Sequence, residues 1–109
     1  MIRLKSPPTK NIYAYRPFIK AERIRKRHAE ARKSLSTWMN VVLNAQWKTR
    51  QDVLNDFPRA KMIKNNRARF EIVHNTYRLI AQIHYEEKFT EIRFIGTHTE
   101  YDRIDPETI

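Results

Sequence analysis

From Arg67 to Ile95 the chain repeats one pattern three times: apolar and polar side chains alternate along a short run, then a polar turn follows. Alternate residues of a strand point to opposite faces, so each run sorts its side chains into two sets. Residues 67–73 (R-A-R-F-E-I-V) set Ala68, Phe70 and Ile72 against Arg67, Arg69 and Glu71. His74-Asn75-Thr76 suits a turn. Residues 77–85 set Tyr77, Leu79, Ala81, Ile83 and Tyr85 against Arg78, Ile80, Gln82 and His84. After Glu86-Glu87-Lys88, residues 90–95 (T-E-I-R-F-I) read as a third strand, with Ile92 and Phe94 opposed to Arg93 and Ile95. Three such runs in succession predict an antiparallel meander with one apolar face, which other elements must cover.

The cover comes from upstream. Ala21, Ile24, His28, Ala31 and Leu35 step by three and four, and Trp38, Met39, Val42, Leu43 and Gln46 continue the stripe. Ser34 or Ser36 suits a cap or kink, so an antiparallel helical hairpin or one bent helix is expected. Thr49-Arg50-Gln51-Asp52 resembles a capping box with Asp in place of Glu. Val53, Leu54 and Phe57 would be the buried side of that helix, and Pro58 its end. Residues 11–16 alternate enough for a short strand, Pro17 suits a first helical turn, and residues 1–10 read as a loose N-terminal extension. The segment after Gly96 (T-H-T-E-Y-D) is a loop or a single turn. Gly96 is the chain's one glycine, expected to let the chain bend sharply there. The fold class is α+β: N-terminal helices packed on an antiparallel β-sheet, in one domain over residues 1–109.

The charge is lopsided. Residues 1–69 hold 18 Lys and Arg against 4 Asp and Glu, whereas residues 70–109 hold 4 against 8. The net charge of +10 points to a polyanionic partner, or to an acidic protein that neutralises it. Cysteine is absent, which excludes disulfides, thiol catalysis and Cys-based metal sites. No apolar run approaches the roughly 20 residues that span a bilayer. A cytoplasmic protein without membrane contact is expected.

Arg67, Arg69, Arg78 and Arg93 project from the polar side of the meander. A guanidinium grips phosphate through paired hydrogen bonds and stabilises charge developing on it; a solvated face with scattered salt bridges is the plainer reading. Arg78 has the most central place, between Tyr77 and Leu79 in the most apolar strand. His98 and Tyr101 follow the third strand. Histidine suits proton transfer near neutral pH, and tyrosine donates a proton or stacks on a base; a turn cap and a packed ring are the structural alternatives. His28 sits in the helical stripe, and His74 and His84 lie at strand ends without ligand spacing. No metal-binding motif, P-loop or nucleophile elbow appears, so neither metal nor cofactor is expected. Trp38 fits the helical core stripe.

Several pieces resemble, in order and spacing, the HigB toxin family within the wider RelE group. They are A-Q-W-K (45–48), D-V-L-N-D-F-P (52–58), N-N-R-A-R-F (65–70), N-T-Y-R-L-I-A-Q-I (75–83), I-R-F-I-G-T-H-T-E-Y-D-R-I (92–104) and D-P-E-T-I (105–109). The resemblance implies a microbial-ribonuclease-like fold and metal-independent, ribosome-dependent cleavage of mRNA, that of an mRNA interferase. It implies a HigA-type helix-turn-helix antitoxin, through which a complex engages operator DNA. It makes Arg78, His98 and Tyr101 catalytic and assigns RNA binding to Arg67 and Arg69, with Arg93 on the same face. Tyr101 follows the histidine by three residues where related toxins often have four. Residues 28–29 read His-Ala where the family usually has His-Pro. A ParE-like gyrase inhibitor and a non-catalytic RNA- or ribosome-binding module are the alternatives.

The cationic helix face (Arg23, Arg25, Lys26, Arg27, Arg32, Lys33) lies far in sequence from the sheet motifs, which suits ribosome contact rather than scissile-RNA contact. Replacing Arg25, Lys26 and Arg32 together by Ala should lower ribosome affinity, leave the fold intact and flatten the salt dependence of binding. Unchanged binding at low and moderate salt would remove this face from the interface.

Overall fold

The computed structural model describes residues 2–3, 23, 29–74 and 76–109. In chain order the elements are β1 (Ile2–Arg3), α1 (Ala29–Asn44), α2 (Arg50–Asp56), β2 (Lys61–Ile63), β3 (Arg67–Ile72), β4 (Tyr77–His84), β5 (Phe89–Thr97) and α3 (His98–Tyr101). The strand expected at 11–16, the helix start at Pro17 and the stripe residues Ala21, Ile24 and His28 lie outside the described residues.

α1 is continuous through Ser34 and Ser36, so over these residues the expected hairpin or bend is a single helix. Leu35, Trp38 and Val42 are buried along one stripe, with Met39 and Leu43 partly buried beside it. They pack on Ala68, Phe70, Ile72, Leu79, Ala81, Ile83, Ile92 and Ile95 from the sheet. Trp38 meets Phe70 edge-on at 5.5 Å, and Phe57 meets the same ring at 4.9 Å. Trp47 is also core, and its Nε1 donates to Asp56 Oδ2 at 2.8 Å.

α2 starts on the expected capping box. Thr49 Oγ1 accepts from the Asp52 N–H, and Asp52 Oδ2 accepts from the Thr49 N–H. The Lys48 N–H also donates to Asp52, and this bond, first among several, lowers the pKa of the carboxyl. Val53 is the buried residue of α2, and Phe57 packs on the core just after it.

The sheet has five strands in the order β1-β5-β4-β3-β2, all pairs antiparallel. Two strands were not expected. Residues 2 and 3 pair with Thr90 and Phe89 at one edge. Lys61–Ile63 pair with β3 at the other, joined to it by a turn in which Asn65 and Asn66 take the left-handed conformation (φ 66° and 59°) that Asn tolerates well. The β3–β4 turn begins at Val73, one residue earlier than expected. Val73 and His74 are left-handed there, an uncommon state for a β-branched residue.

The alternation expected for the third strand breaks inside β5. Ile80 pairs with Phe94 and Ala81 with Ile92, leaving Arg93 as the extra residue of a β-bulge. Beyond the bulge the faces exchange. Ile92 and Ile95 both enter the core, and Phe94 turns to the Arg-bearing side, contrary to the expected grouping of Ile92 with Phe94.

At the far end of β4, His84 stacks on Phe89 at 4.0 Å, with its ring nitrogens 3.3 Å from Glu87 and Glu91. Glu91 also accepts from Arg93 Nη1 at 2.9 Å. Burial alone would raise the Glu91 pKa, but the bonds from Arg93 and His84 outweigh it and hold the carboxyl below the ordinary glutamate value. A carboxyl lowered in the folded state stabilises fully above its unfolded value and loses that contribution as pH falls toward its folded value. The stability difference between the native chain and Glu91→Gln, measured by urea unfolding, should therefore shrink as the pH falls below about 4.5.

Candidate functional site

The β4–β5 register sets Gly96 opposite Arg78, and the β3–β4 register sets Glu71 on its other side. All three belong to the sheet face away from α1. Gly96 leaves the place across from Arg78 without a side chain. Its backbone is ordinary, since no glycine has positive φ, so the sharp bend expected there is absent. The need for glycine is steric. A Cβ at this position would come within 2.8 Å of Phe94 Cζ and 3.0 Å of Glu100 Oε1.

α3 follows β5 at once because Thr97 caps it. Thr97 Oγ1 accepts from the Glu100 N–H at 3.3 Å, and Glu100 Oε1 accepts from the Thr97 N–H at 2.9 Å. The single turn carries His98 and Tyr101. The Tyr101 ring lies beneath two guanidinium groups, Arg78 at 4.8 Å and Arg69 at 5.9 Å from its centroid, with Phe94 tilted beside it at 6.3 Å. Arg69 Nε is shut away from solvent and has no hydrogen-bond partner among the described residues. His98 Nδ1 stands 3.2 Å from Asp102 Oδ2, both side chains about half exposed. The structure thus brings Arg69, Arg78 and Tyr101 together and puts His98 on the same turn as Tyr101.

Arg67 and Arg93 have other work. Arg67 is buried; its Nε donates to Gln82 Oε1 at 2.8 Å, and its Nη1 donates to the main-chain oxygens of Pro106 and Ile109, each at 3.1 Å. Arg93 Nε donates to the same Ile109 oxygen at 3.0 Å. Residues 106 and 109 therefore lie against the Arg-bearing face. Arg67 and Arg93, expected to bind RNA, thus bond main-chain oxygens of the chain itself. Of the cationic helix face, Arg23, Arg32 and Lys33 are exposed, whereas Arg25 and Lys26 lie outside the described residues.

Phe94 and Asp102 were not singled out from sequence. The i, i+4 spacing of His98 and Asp102 was a usable signal for their pairing; Phe94 was hidden by the bulge. Among the described residues no helix is long and apolar enough to cross a membrane, and no group of three or more His, Asp or Glu could hold a metal ion.

Gly96→Ala should push Phe94 and the Glu100 cap apart and cost about 1–3 kcal/mol of stability. Urea unfolding at neutral pH measures it, and an unchanged midpoint would mean that both neighbours move aside freely.

The family model for HigB toxin, the RelE-like toxic component of a toxin–antitoxin system, matches residues 31–104. No curated protein matches the sequence. The matched span begins within α1 and runs past α3, so it includes strands β2 to β5, the arginine–tyrosine cluster, His98 and Asp102. A toxic component of this kind implies an antitoxin partner. With more than half of its residues matched, this chain belongs to the HigB family of RelE-like toxins.

Proposed function

We propose that this toxin is an mRNA interferase: an endoribonuclease that cuts mRNA on the ribosome in the cytoplasm, without metal, and so inhibits translation. A HigA-type antitoxin neutralises it. The observation that carries the reading is the cluster in which Arg69 and Arg78 converge on Tyr101 beside His98 and Asp102. Internal cleavage of RNA needs an acceptor for the 2′-hydroxyl proton, cations for the charge gathering on phosphorus, and a donor to the departing 5′ oxygen.

Asp102 faces Nδ1 of His98, which favours the tautomer with Nε2 free to accept the 2′ proton. The 2′ oxygen then attacks phosphorus, and the bond to the 5′ oxygen breaks, leaving a cyclic phosphate on one product and a 5′-hydroxyl on the other. Arg78 offers a planar fork to the phosphate oxygens, and the guanidinium charge of Arg69 beside it supports the same phosphate. Tyr101, held among the arginines and Phe94, is the donor in reach of the same phosphate. Arg32 and the neighbouring cations of its helix face serve ribosome binding in this reading, and the excess positive charge suits both ribosomal RNA and an acidic antitoxin surface.

The test is single-turnover mRNA cleavage on programmed ribosomes at several pH values. Arg78→Ala should slow it roughly 100- to 1000-fold, with Arg78→Lys restoring only part, because an ammonium offers a point charge and not a fork. His98→Gln should slow it roughly 100- to 10,000-fold. Folded, ribosome-bound Arg78→Ala and His98→Gln variants that cut at the native rate would place the chemistry elsewhere.

A further inference from the structure

The four-residue helix α3 is far too short to hold its own direction, since isolated helices below roughly 12 residues are marginal in water. Its orientation must come from what fixes its ends. The near end is fixed by the Thr97–Glu100 cap. The far end continues into a chain of local turns: Arg103 N–H to Glu100 O, Ile104 N–H to Tyr101 O, Glu107 N–H to Asp105 Oδ1, and Ile109 N–H to Asp105 O. That chain is then gripped at Pro106 and Ile109 by Arg67 and Arg93.

The grip is tied to the sheet on both sides. Gln82 accepts from Arg67 and donates its own amide to the main-chain oxygens of Asn65 and Asn66 in the β2–β3 turn. Glu91 accepts from Arg93 on β5. A buried guanidinium needs partners for its donors, and at Arg67 the main-chain oxygens of residues 106 and 109 supply two of them.

We propose that Arg67 and Arg93 are positioning residues. They clamp residues 102–109 against the sheet and thereby aim Tyr101 and His98 at a phosphate held by Arg69 and Arg78. The inference rests on the nuclease reading for its catalytic consequence, while the clamp itself is a property of the folded chain. It gives the four arginines of this face two distinct jobs, and the two jobs differ in their response to salt. An arginine that touches RNA phosphate contributes close to one unit to the slope of log affinity against log salt. An arginine that acts through the chain contributes nothing to it.

The experiment compares Arg93→Gln and Arg67→Gln with the native toxin and with Arg78→Ala. Single-turnover cleavage at saturating ribosomes, ribosome affinity across salt, and amide hydrogen exchange over residues 98–109 are read for each. Arg93 is only partly buried, so Arg93→Gln serves even if Arg67→Gln does not fold. The clamp predicts faster exchange across residues 98–109, cleavage slower by roughly 10- to 100-fold through misaligned groups, and an unchanged affinity and salt slope. Native exchange over 98–109 overturns it. So does native cleavage in a variant whose Arg78→Ala counterpart is inactive, or a slope that falls by about one with each substitution. If Arg78→Ala itself cuts normally, the nuclease reading fails, and the exchange data still decide whether the clamp exists.

Discussion

The β-bulge at Arg93 is the constraint on which the rest of the site depends. With regular alternation along β5, Phe94 and Gly96 would point into the core and Ile95 away from it. The extra residue exchanges the two sets beyond it. Ile95 then packs beside Leu79, while Gly96 stands opposite Arg78 on the outer face. The gap left by glycine is filled by Phe94 and the Glu100 cap, so the turn that carries His98 and Tyr101 settles directly above the arginines. One inserted residue serves the core and the site together.

The sheet is consequently covered on both sides, by unlike means. α1 covers one side with Leu35, Trp38 and Val42, a contact that is apolar and continuous. Residues 102–109 cover part of the other, where Arg67 and Arg93 bind main-chain oxygens. Ile80 lies on this second side, away from the main core, and is nonetheless fully buried. The face thus divides into a part sealed by the chain itself and a part, around Arg69, Arg78 and Tyr101, that remains polar and aromatic.

Much of this was legible in the sequence for reasons that are local. Period-two alternation marked β3 and β4, the three-and-four stripe marked α1, and T-x-x-D marked the start of α2; each needs only neighbouring residues to form. Arg78 was found because a cation in an apolar strand is conspicuous. What stayed hidden was non-local or brief. β2 has three residues, too few for a period. The bulge was visible only as Ile92 and Ile95 both being apolar at a spacing of three, which two-residue alternation counts as noise. Arg67 reaches Ile109 across 42 residues and binds a main-chain oxygen, so no side chain announces the contact. Four arginines that look alike in sequence therefore separate into two sets of contacts only when the chain is folded.

The order in which the chain is made gives the clamp one more meaning. Arg67, Arg69, Arg78 and Arg93 all leave the translating ribosome before Tyr101, and residues 106 and 109 emerge later still. Domains generally fold as units during synthesis. Until those residues are made, the guanidinium of Arg67 lacks the main-chain oxygens of Pro106 and Ile109. Residues 106 and 109 thus follow every arginine of this face in synthesis, and a chain stalled before residue 106 carries the arginines without the main-chain oxygens that Arg67 and Arg93 bind.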